Sequence, residues 1–410
     1  MTTPSLGPHA RRGALPFRAS ERPTLGVEWE VALVDAATGD LAPRASDVLA
    51  EVGRRPAHPD GRQRVTHELL TNTVELVTGV HDTVAEAVAD LHEVMGQVRS
   101  AAEPLGLDLA CSGTHPFAQW SAQTMTEGPR YAELIERTQW WGRQMLIWGV
   151  HVHVGMSSVH KVLPVLDAML AYAPHLQALS ASSPFWAGVD TGYASNRALM
   201  FQQLPTAGLP FQFARWEELE AYVGDLLHTG VIDSFKDVRW DVRPSPGIGT
   251  LEVRVCDGVP TEAELAALTA LTHCLVVDLD ARLEAGELPA VLPPWHVQEN
   301  KWRAARYGLD AIIITSAAGD ERLVTDDLAD VLTRLEPVAR RLGCSDELAA
   351  VAQIPVHGAS YQRQRAVAAA SDGDLKAVVG SLVRELREGR PEAAPTAGGP
   401  APAPGAPVAS

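Results

Sequence analysis

Two glutamates, Glu28 and Glu30, sit two residues apart inside Thr24-Leu-Gly-Val-Glu-Trp-Glu-Val-Ala-Leu-Val34, a segment that alternates as a strand does. Residues i and i+2 of a strand project to one face, so these carboxylates stand about 7 Å apart. On a core-facing surface that arrangement is costly without a partner. A divalent cation removes the cost; so does solvent, if the face is open. The same spacing recurs in three other β-prone segments: His151-x-His153, Arg239-x-Asp241-x-Arg243 and Glu252-x-Arg254. One sheet could gather all four on one face. Glu68 and Glu75 flank Thr71-Asn72-Thr73, whose turn chemistry predicts a hairpin between 64–70 and 74–78, and these two acids could join the cluster. His151-Val-His153 has two readings: a zinc-ligand pair, or one ligand beside a structural hydrogen bonder.

Further strands are expected at 107–112, 150–155, 238–243 and 250–255. Helical periods run over 82–102, 130–145, 159–179, 217–227 and 261–284, and more helices start near Asn300, Asp326 and Asp374. Thr83 with Glu86, and Thr261 with Glu264, have capping-box spacing. Residues 180–213 show no period, which inside a compact domain marks a functional loop region. Strands and helices alternate irregularly, and hairpin-like joints favour an antiparallel α+β sheet over a doubly wound one. Residues 1–22 are expected to be a disordered leader, 23–388 one domain, and the Ala/Pro/Gly-rich 389–410 a disordered tail.

The chain has 410 residues and a net charge of −17, spread with no long acidic run, and that balance speaks against nucleic acid and anionic membranes as partners, since both need a net basic face. No segment approaches the roughly 18 apolar residues of a membrane helix. The cysteines, Cys111, Cys256, Cys274 and Cys344, are far apart and read as buried thiols in a reducing cytoplasm. Lysines are few (Lys161, Lys236, Lys301, Lys376), and none follows a glycine, so there is no P-loop. Any phosphate must be handled by arginines, metals and backbone amides.

Gly26-Val-Glu28-Trp-Glu30, Gly113-Thr-His-Pro-Phe117, His151-Val-His153-Val-Gly155, Ser183-Pro-Phe-Trp186, Asp190-Thr-Gly-Tyr-Ala-Ser195, Trp240-Asp-Val-Arg-Pro244, Gly249-Thr-Leu-Glu-Val-Arg-Val-Cys-Asp257 and Trp302-Arg-Ala-Ala-Arg-Tyr-Gly-Leu-Asp310 occur in that order. As an ordered set they resemble the carboxylate–amine ligases of the glutamate–cysteine ligase type 2 family, over about residues 23–385. Trp29 departs from the family pattern, but a strand turns it away from Glu28 and Glu30. The resemblance implies a fold related to the glutamine synthetase catalytic domain: a curved antiparallel sheet with helices on its outer face. It implies ATP and Mg²⁺ (or Mn²⁺), with glutamate as the carboxylate and cysteine, or another amine, as the acceptor, joined through an acyl phosphate. A homodimer is one allowed assembly.

On this reading Glu28, Glu30, Glu68, Glu75, His153 and Glu252 are the metal ligands. Arg254 is expected to reach a phosphate or the substrate carboxylate. Arg243 is a second anion clamp, or else the ion-pair partner of Asp241. Asn300, Arg303 and Arg306 share a helix face and are expected, with His151, to hold the nucleotide; a solvated basic face is the alternative. A competing reading is a metal hydrolase built on His151 and His153. It would need ligands from histidines in no hydrolase spacing, and it leaves the paired glutamates unexplained.

Overall fold

The computed structural model describes residues 13–54, 63–288 and 291–392. Seven strands form one sheet: β1 Leu25–Asp35, β2 Val65–His67, β3 Thr73–Val77, β4 Leu107–Ala110, β5 Gly149–Gly155, β6 Val242–Ser245 and β7 Thr250–Asp257. Their order is β6-β7-β5-β1-β3-β2, all antiparallel, with β4 beside the second half of β1. The long β1 is the hinge of the pattern. Its first half pairs β5, its second half pairs β4, and β3 runs along the other edge.

One face of this sheet is apolar. Val27, Trp29, Val31, Leu76, Val150, Val152, Val154, Leu251 and Val253 are all buried in the main core. Helices cover that face: α1 Ala45–Val52, α2 Val84–Ala102, α4 Val159–Met169, α5 Ala173–Ser180 and α8 Glu262–Ala285. The spacing of apolar residues in α2 and the reciprocal Thr83–Glu86 cap explain why it forms where it does. α8 is buried on nearly every side, from Glu264 to Leu279, and stops at Gly286 in the left-handed conformation. The other helices used below are α3 Pro129–Arg143, α6 Asn196–Phe201, α7 Trp216–His228, α9 Pro294–Tyr307 and α10 Val324–Leu342. No single helix among the described residues is long and apolar enough to cross a membrane.

Three local expectations change. The helix expected over 159–179 is two helices meeting at 61°, because Pro174 has no N–H to continue the ladder and is accommodated in the first turn of a new helix. The strand expected over 238–243 breaks at Asp241. Arg239–Trp240 pair in parallel with Ala207–Gly208, and the Asp241 carboxylate turns to Lys301 of α9, 2.6 Å away. The leader also differs in its described part. Residues 13–22 lie against the body: Leu15 is buried, Phe17 packs edge-on to Trp216, and the Ser20 amide donates to Met156 O at 2.8 Å. Residues 1–12 and 393–410 lie outside the described residues.

Candidate active site

The polar face of the sheet carries the charged pairs, and the strand register sets their neighbours. Glu28 lies opposite His151, and Glu30 opposite Glu75. Glu252 lies opposite His153 on one side and Arg243 on the other. Since each strand contributes every second residue, the register lines these groups into one stripe across five strands. A bulge in β7 between Val253 and Cys256 shifts the register just beyond Arg254. Trp29 points to the opposite face, fully buried, with its indole N–H on Cys111 Sγ at 3.1 Å.

Glu28 is the centre of the stripe. It accepts from His151 Nδ1 at 2.9 Å and from His153 Nε2 at 3.3 Å. Burial favours the protonated acid, but the two imidazole hydrogen bonds outweigh it and hold the Glu28 carboxyl well below its usual range. An ionised carboxylate only accepts, so the proton of neutral His151 sits on Nδ1 and its Nε2 keeps a lone pair. That Nε2 is buried and has no hydrogen-bond partner. Burial, and then Arg254, lower the His151 pKa to about 4, so the lone pair is available at neutral pH. His153 Nδ1 hydrogen-bonds Thr250 Oγ1 at 2.9 Å, which fixes the ring.

Carboxylates fill the far end of the stripe. Burial, and then the neighbouring Glu68 charge, outweigh Arg197 and raise the Glu30 pKa to about 8. Burial also raises Glu68, and burial with repulsion from Glu28, Glu68 and Glu30 raises Glu75 well above its usual range. Their oxygens have few protein donors: the Gly149 amide at 2.5 Å for Glu30, the Leu69 amide at 2.8 Å for Glu68, and Thr66 Oγ1 at 2.9 Å for Glu75. Three overlapping triads result, each with ligand atoms within 4.8 Å of one another: Glu28–Glu75–His151, Glu28–His153–Glu252 and Glu30–Glu68–Glu75. Crowded, mostly half-buried carboxylate oxygens match the donor set of hard divalent cations. The residues therefore fit Mg²⁺ or Mn²⁺, and all six expected ligands lie in these triads.

Arginines stand beside the acids. Glu252 is fully buried, and against the cost of burial Arg254, His153 and Arg243 hold it ionised. Arg254 bonds Glu252 through Nη1 and leaves a buried Nε unpartnered. Arg243 bonds both Glu252 oxygens, at 2.5 and 3.3 Å, and gives Nη1 to Val238 O at 2.6 Å. Its donors are thus spent on holding Glu252. This corrects both expectations for Arg243, since Asp241 belongs to Lys301. The stripe opens on a recess of about 810 Å³ lined by Glu30, Glu68, His151 and four arginines, Arg130, Arg197, Arg239 and Arg254. Burial, with Arg130, Arg254 and Arg243 nearby, outweighs Asp237 and lowers Arg239 to about 10, the mark of an under-compensated positive field.

Three of these arginines were given no site role from the sequence. Arg239 belongs to a charged pair that was noticed. Arg130 and Arg197 come from the first turns of α3 and of the short α6, with no periodic signal. Arg197 is placed by Asp257, whose buried carboxylate accepts from Ser183 Oγ at 2.7 Å and Ser195 Oγ at 2.8 Å, while Ser183 Oγ accepts from the Arg197 amide at 3.0 Å. A Cβ on Gly149 would stand 2.2 Å from Arg197 Nη2, so any larger residue there would push the guanidinium out of this position. Conversely, Asn300, Arg303 and Arg306 do not line the recess. Asn300 is buried and closes a two-way bond with the Ile314 backbone, at 2.8 and 2.7 Å. Arg303 pairs with Glu299 and Glu321, and Arg306 donates to Gly192 O and lies over Tyr193 and Tyr307. Their shared helix face is spent on packing, and the expected nucleotide role gives way to it.

The fold is similar to that of the glutamate–cysteine ligase of Francisella tularensis solved with AMP. The TM-score is 0.67 at 14% identity, over 93% of this chain and 91% of that one. It is also similar to a bifunctional glutathione synthetase of Pasteurella multocida, with TM-score 0.59 and 13% identity over 90% of this chain and 52% of that one. The antiparallel α+β architecture expected from the sequence is the one observed. Acids and arginines gather on the open face of this fold, and it is the family match that makes it the fold of an ATP-dependent carboxylate–amine ligase. Residues 24–381 match Glutamate-cysteine ligase family 2 (GCS2), and the chain belongs to that family. A protein of Nocardia farcinica is 66% identical over 373 residues, covering 91% of this chain and 98% of its own. One of Mycobacterium tuberculosis H37Rv is 64% identical over 379 residues, covering 92% and 99%. Both carry provisional names as glutamate–cysteine ligases.

Proposed function

We propose that this ligase joins the side-chain carboxylate of glutamate to the amino group of cysteine in the cytoplasm. ATP is converted to ADP and phosphate, with Mg²⁺ or Mn²⁺ held by Glu28, Glu30, Glu68, Glu75, His153, Glu252 and His151. The observation that carries this reading is the stripe itself: three ligand triads sharing Glu28 and Glu75, beside a recess walled by arginines.

Phosphoryl transfer to a carboxylate brings anions together, and its barrier is lowered by fixed positive charge and by positioning. Bound divalent cations would supply much of that charge. The chain's own part is to hold the rest in place. Arg243 fixes Glu252, Glu252 orients Arg254, and the free Nε of Arg254 is left for a phosphate or carboxylate oxygen. Arg197, pinned by the Asp257–Ser183 network, adds a second guanidinium to the recess. No side chain need act as a covalent nucleophile, because the substrate carboxylate attacks and the acyl phosphate then receives the amine. Cys256, buried on the apolar side with its thiol pushed up to about 12 by burial, takes no part. The hydrolase reading loses ground for a specific reason: both imidazoles turn to Glu28 among carboxylates, which is not a zinc-like nitrogen set.

The test is an ADP-release screen of glutamate and related carboxylates against a panel of amines, with product masses. Amide formation strictly dependent on ATP and divalent metal is expected, with glutamate and cysteine the best pair. Amide hydrolysis without nucleotide would overturn the reading. A different amine as the best acceptor would keep the mechanism and replace the substrate.

A further inference from the structure

Cys274 and Cys344 are 70 residues apart in sequence and meet in the fold. Their sulfurs lie 3.6 Å from each other, and both side chains are fully buried. Cys274 stands at the middle of α8. Cys344 stands between Gly343, the left-handed residue that ends α10, and a short helix α11, Ser345–Ala350, which packs directly on α8. Among the described residues each thiol has the other as its only side-chain hydrogen-bond partner. Cys111, by contrast, is engaged by the Trp29 indole and by Glu30 O at 3.2 Å. The pair is also asymmetric. The hydrogen bond from Cys274 outweighs burial and holds the Cys344 thiol below its usual range, while the same bond, and then burial, raise Cys274. Cys344 is thus the sulfur that ionises first. Its backbone N–H donates to Ala339 O and its carbonyl accepts from the Leu348 amide, each at 3.0 Å. Ala339, Ser345 and Leu348 all line a recess of about 980 Å³ between α10 and α11, so Cys344 lies one residue behind a wall that faces solvent.

We propose that Cys344 and Cys274 are a peroxide-reactive dithiol that closes to a disulfide and staples α8 to the α10–α11 turn. The inference does not depend on the ligase reading. The oxidant is hydrogen peroxide, close to water in size and able to pass when the first turn of α11 opens locally. The Cys344 thiolate attacks one peroxide oxygen. The O–O bond breaks, hydroxide leaves and takes up the thiol's proton as water, and Cys344 becomes a sulfenic acid. The Cys274 sulfur then attacks that sulfur. The S–OH bond breaks, the S–S bond forms, and hydroxide leaves with the Cys274 proton as a second water. Two thiols lose two electrons and the peroxide gains them. The sulfurs have to close from 3.6 Å to about 2.05 Å, a movement within reach of side-chain rotation. Thiol–disulfide exchange with a small thiol reopens the staple.

The experiment treats reduced full-length protein, freed of reductant, with a slight molar excess of hydrogen peroxide, then quenches it with iodoacetamide in denaturant. Two of the four cysteines should remain open to alkylation, and the unalkylated mass should fall by two hydrogens. A peptide map should join Cys274 to Cys344. Closing a 70-residue loop should raise Tm by about 5 °C in a chain of this length, and dithiothreitol should return it. Cys274→Ala should stop Cys344 at the sulfenic acid, captured by dimedone, and abolish the gain in Tm. The map is made on wild type, so it stands even where the variant fails to fold. Four alkylated cysteines after peroxide, a cross-link to Cys111 or Cys256, or an equal rise in Tm in Cys274→Ala would overturn the proposal. A Cys274–Cys344 cross-link with no gain in Tm would overturn the staple.

Discussion

Glu30 offers the sharpest physical test of the carboxylate cluster, through Glu30→Gln in metal-free protein. Its folded pKa of about 8 lies above the usual 4.5, so the fold favours the protonated acid. Below pH 4.5 folded and unfolded chains both hold the proton, and the group costs nothing. Between 4.5 and 8 the unfolded chain has released it, and stability falls as pH rises; above 8 the loss is constant. A shift of that size corresponds to about 5 kcal/mol, and screening where the side chain opens on the recess reduces it to about 2–3 kcal/mol. For a chain of this length, that is about 3 °C in Tm. In EDTA, the Tm of Glu30→Gln should therefore match wild type near pH 4.5 and exceed it by about 3 °C at pH 8.5. Mg²⁺ or Mn²⁺ at a hundred times Kd should narrow or close that gap, because wild type gains about 2.7 kcal/mol and the variant gains less. Differential scanning fluorimetry across pH, with and without metal, reads both effects. A Tm difference independent of pH in EDTA, or an equal rise of both proteins with metal, would refute the reasoning.

Other expected outcomes follow from the same geometry. Glu28→Gln should leave circular dichroism unchanged and lower metal-dependent ADP release by about a hundredfold or more; near-normal turnover would remove Glu28 from the site. Glu252→Gln is a poorer probe, because it leaves Arg243 and Arg254 buried without their anion and should destabilise the fold by about 3–5 kcal/mol, measurable in denaturant. Arg254→Lys keeps the charge and loses the fork, so kcat should drop about 10- to 100-fold; an unchanged kcat would show that the fork is not used. Lys301→Met breaks the buried pair with Asp241 and should lower Tm by about 4–6 °C with little effect on the KM for ATP; an unchanged Tm would argue against that pairing.

The site's metal-binding half was legible because a strand has a two-residue period. Glu28, Glu30, His151, His153 and Glu252 declare a common face by spacing alone, and the antiparallel register only had to bring the strands together. Its phosphate-binding half was not legible in the same way. Arg130, Arg197 and Arg239 come from the first turns of two separate helices and an isolated pair of strand residues, so tertiary packing alone makes them neighbours. The helix-face reading of Asn300, Arg303 and Arg306 had the period right and the destination wrong. That face meets the Ile312–Ile314 strand, Glu321 and the loop at Gly192. Arg243 shows the same limit. Its nearest acid in sequence is Asp241, but the acid across the strand wins the contact.

The segment from Gly13 to Arg22 lies outside the family match, which begins at residue 24. Yet it is a fastener. The Leu15 amide is held by Glu220 of α7, and the Arg18 amide by Pro246 in the turn before Gly249. The fit is tight enough that a Cβ on Gly249 would fall 1.6 Å from Arg18 O. The span of the family match and the folded unit therefore differ by about ten residues at this end. An expression fragment cut at the family boundary would unlace α7 from the β6–β7 turn and bare the Trp216 seam to solvent. A fragment that starts before Gly13 keeps the lacing.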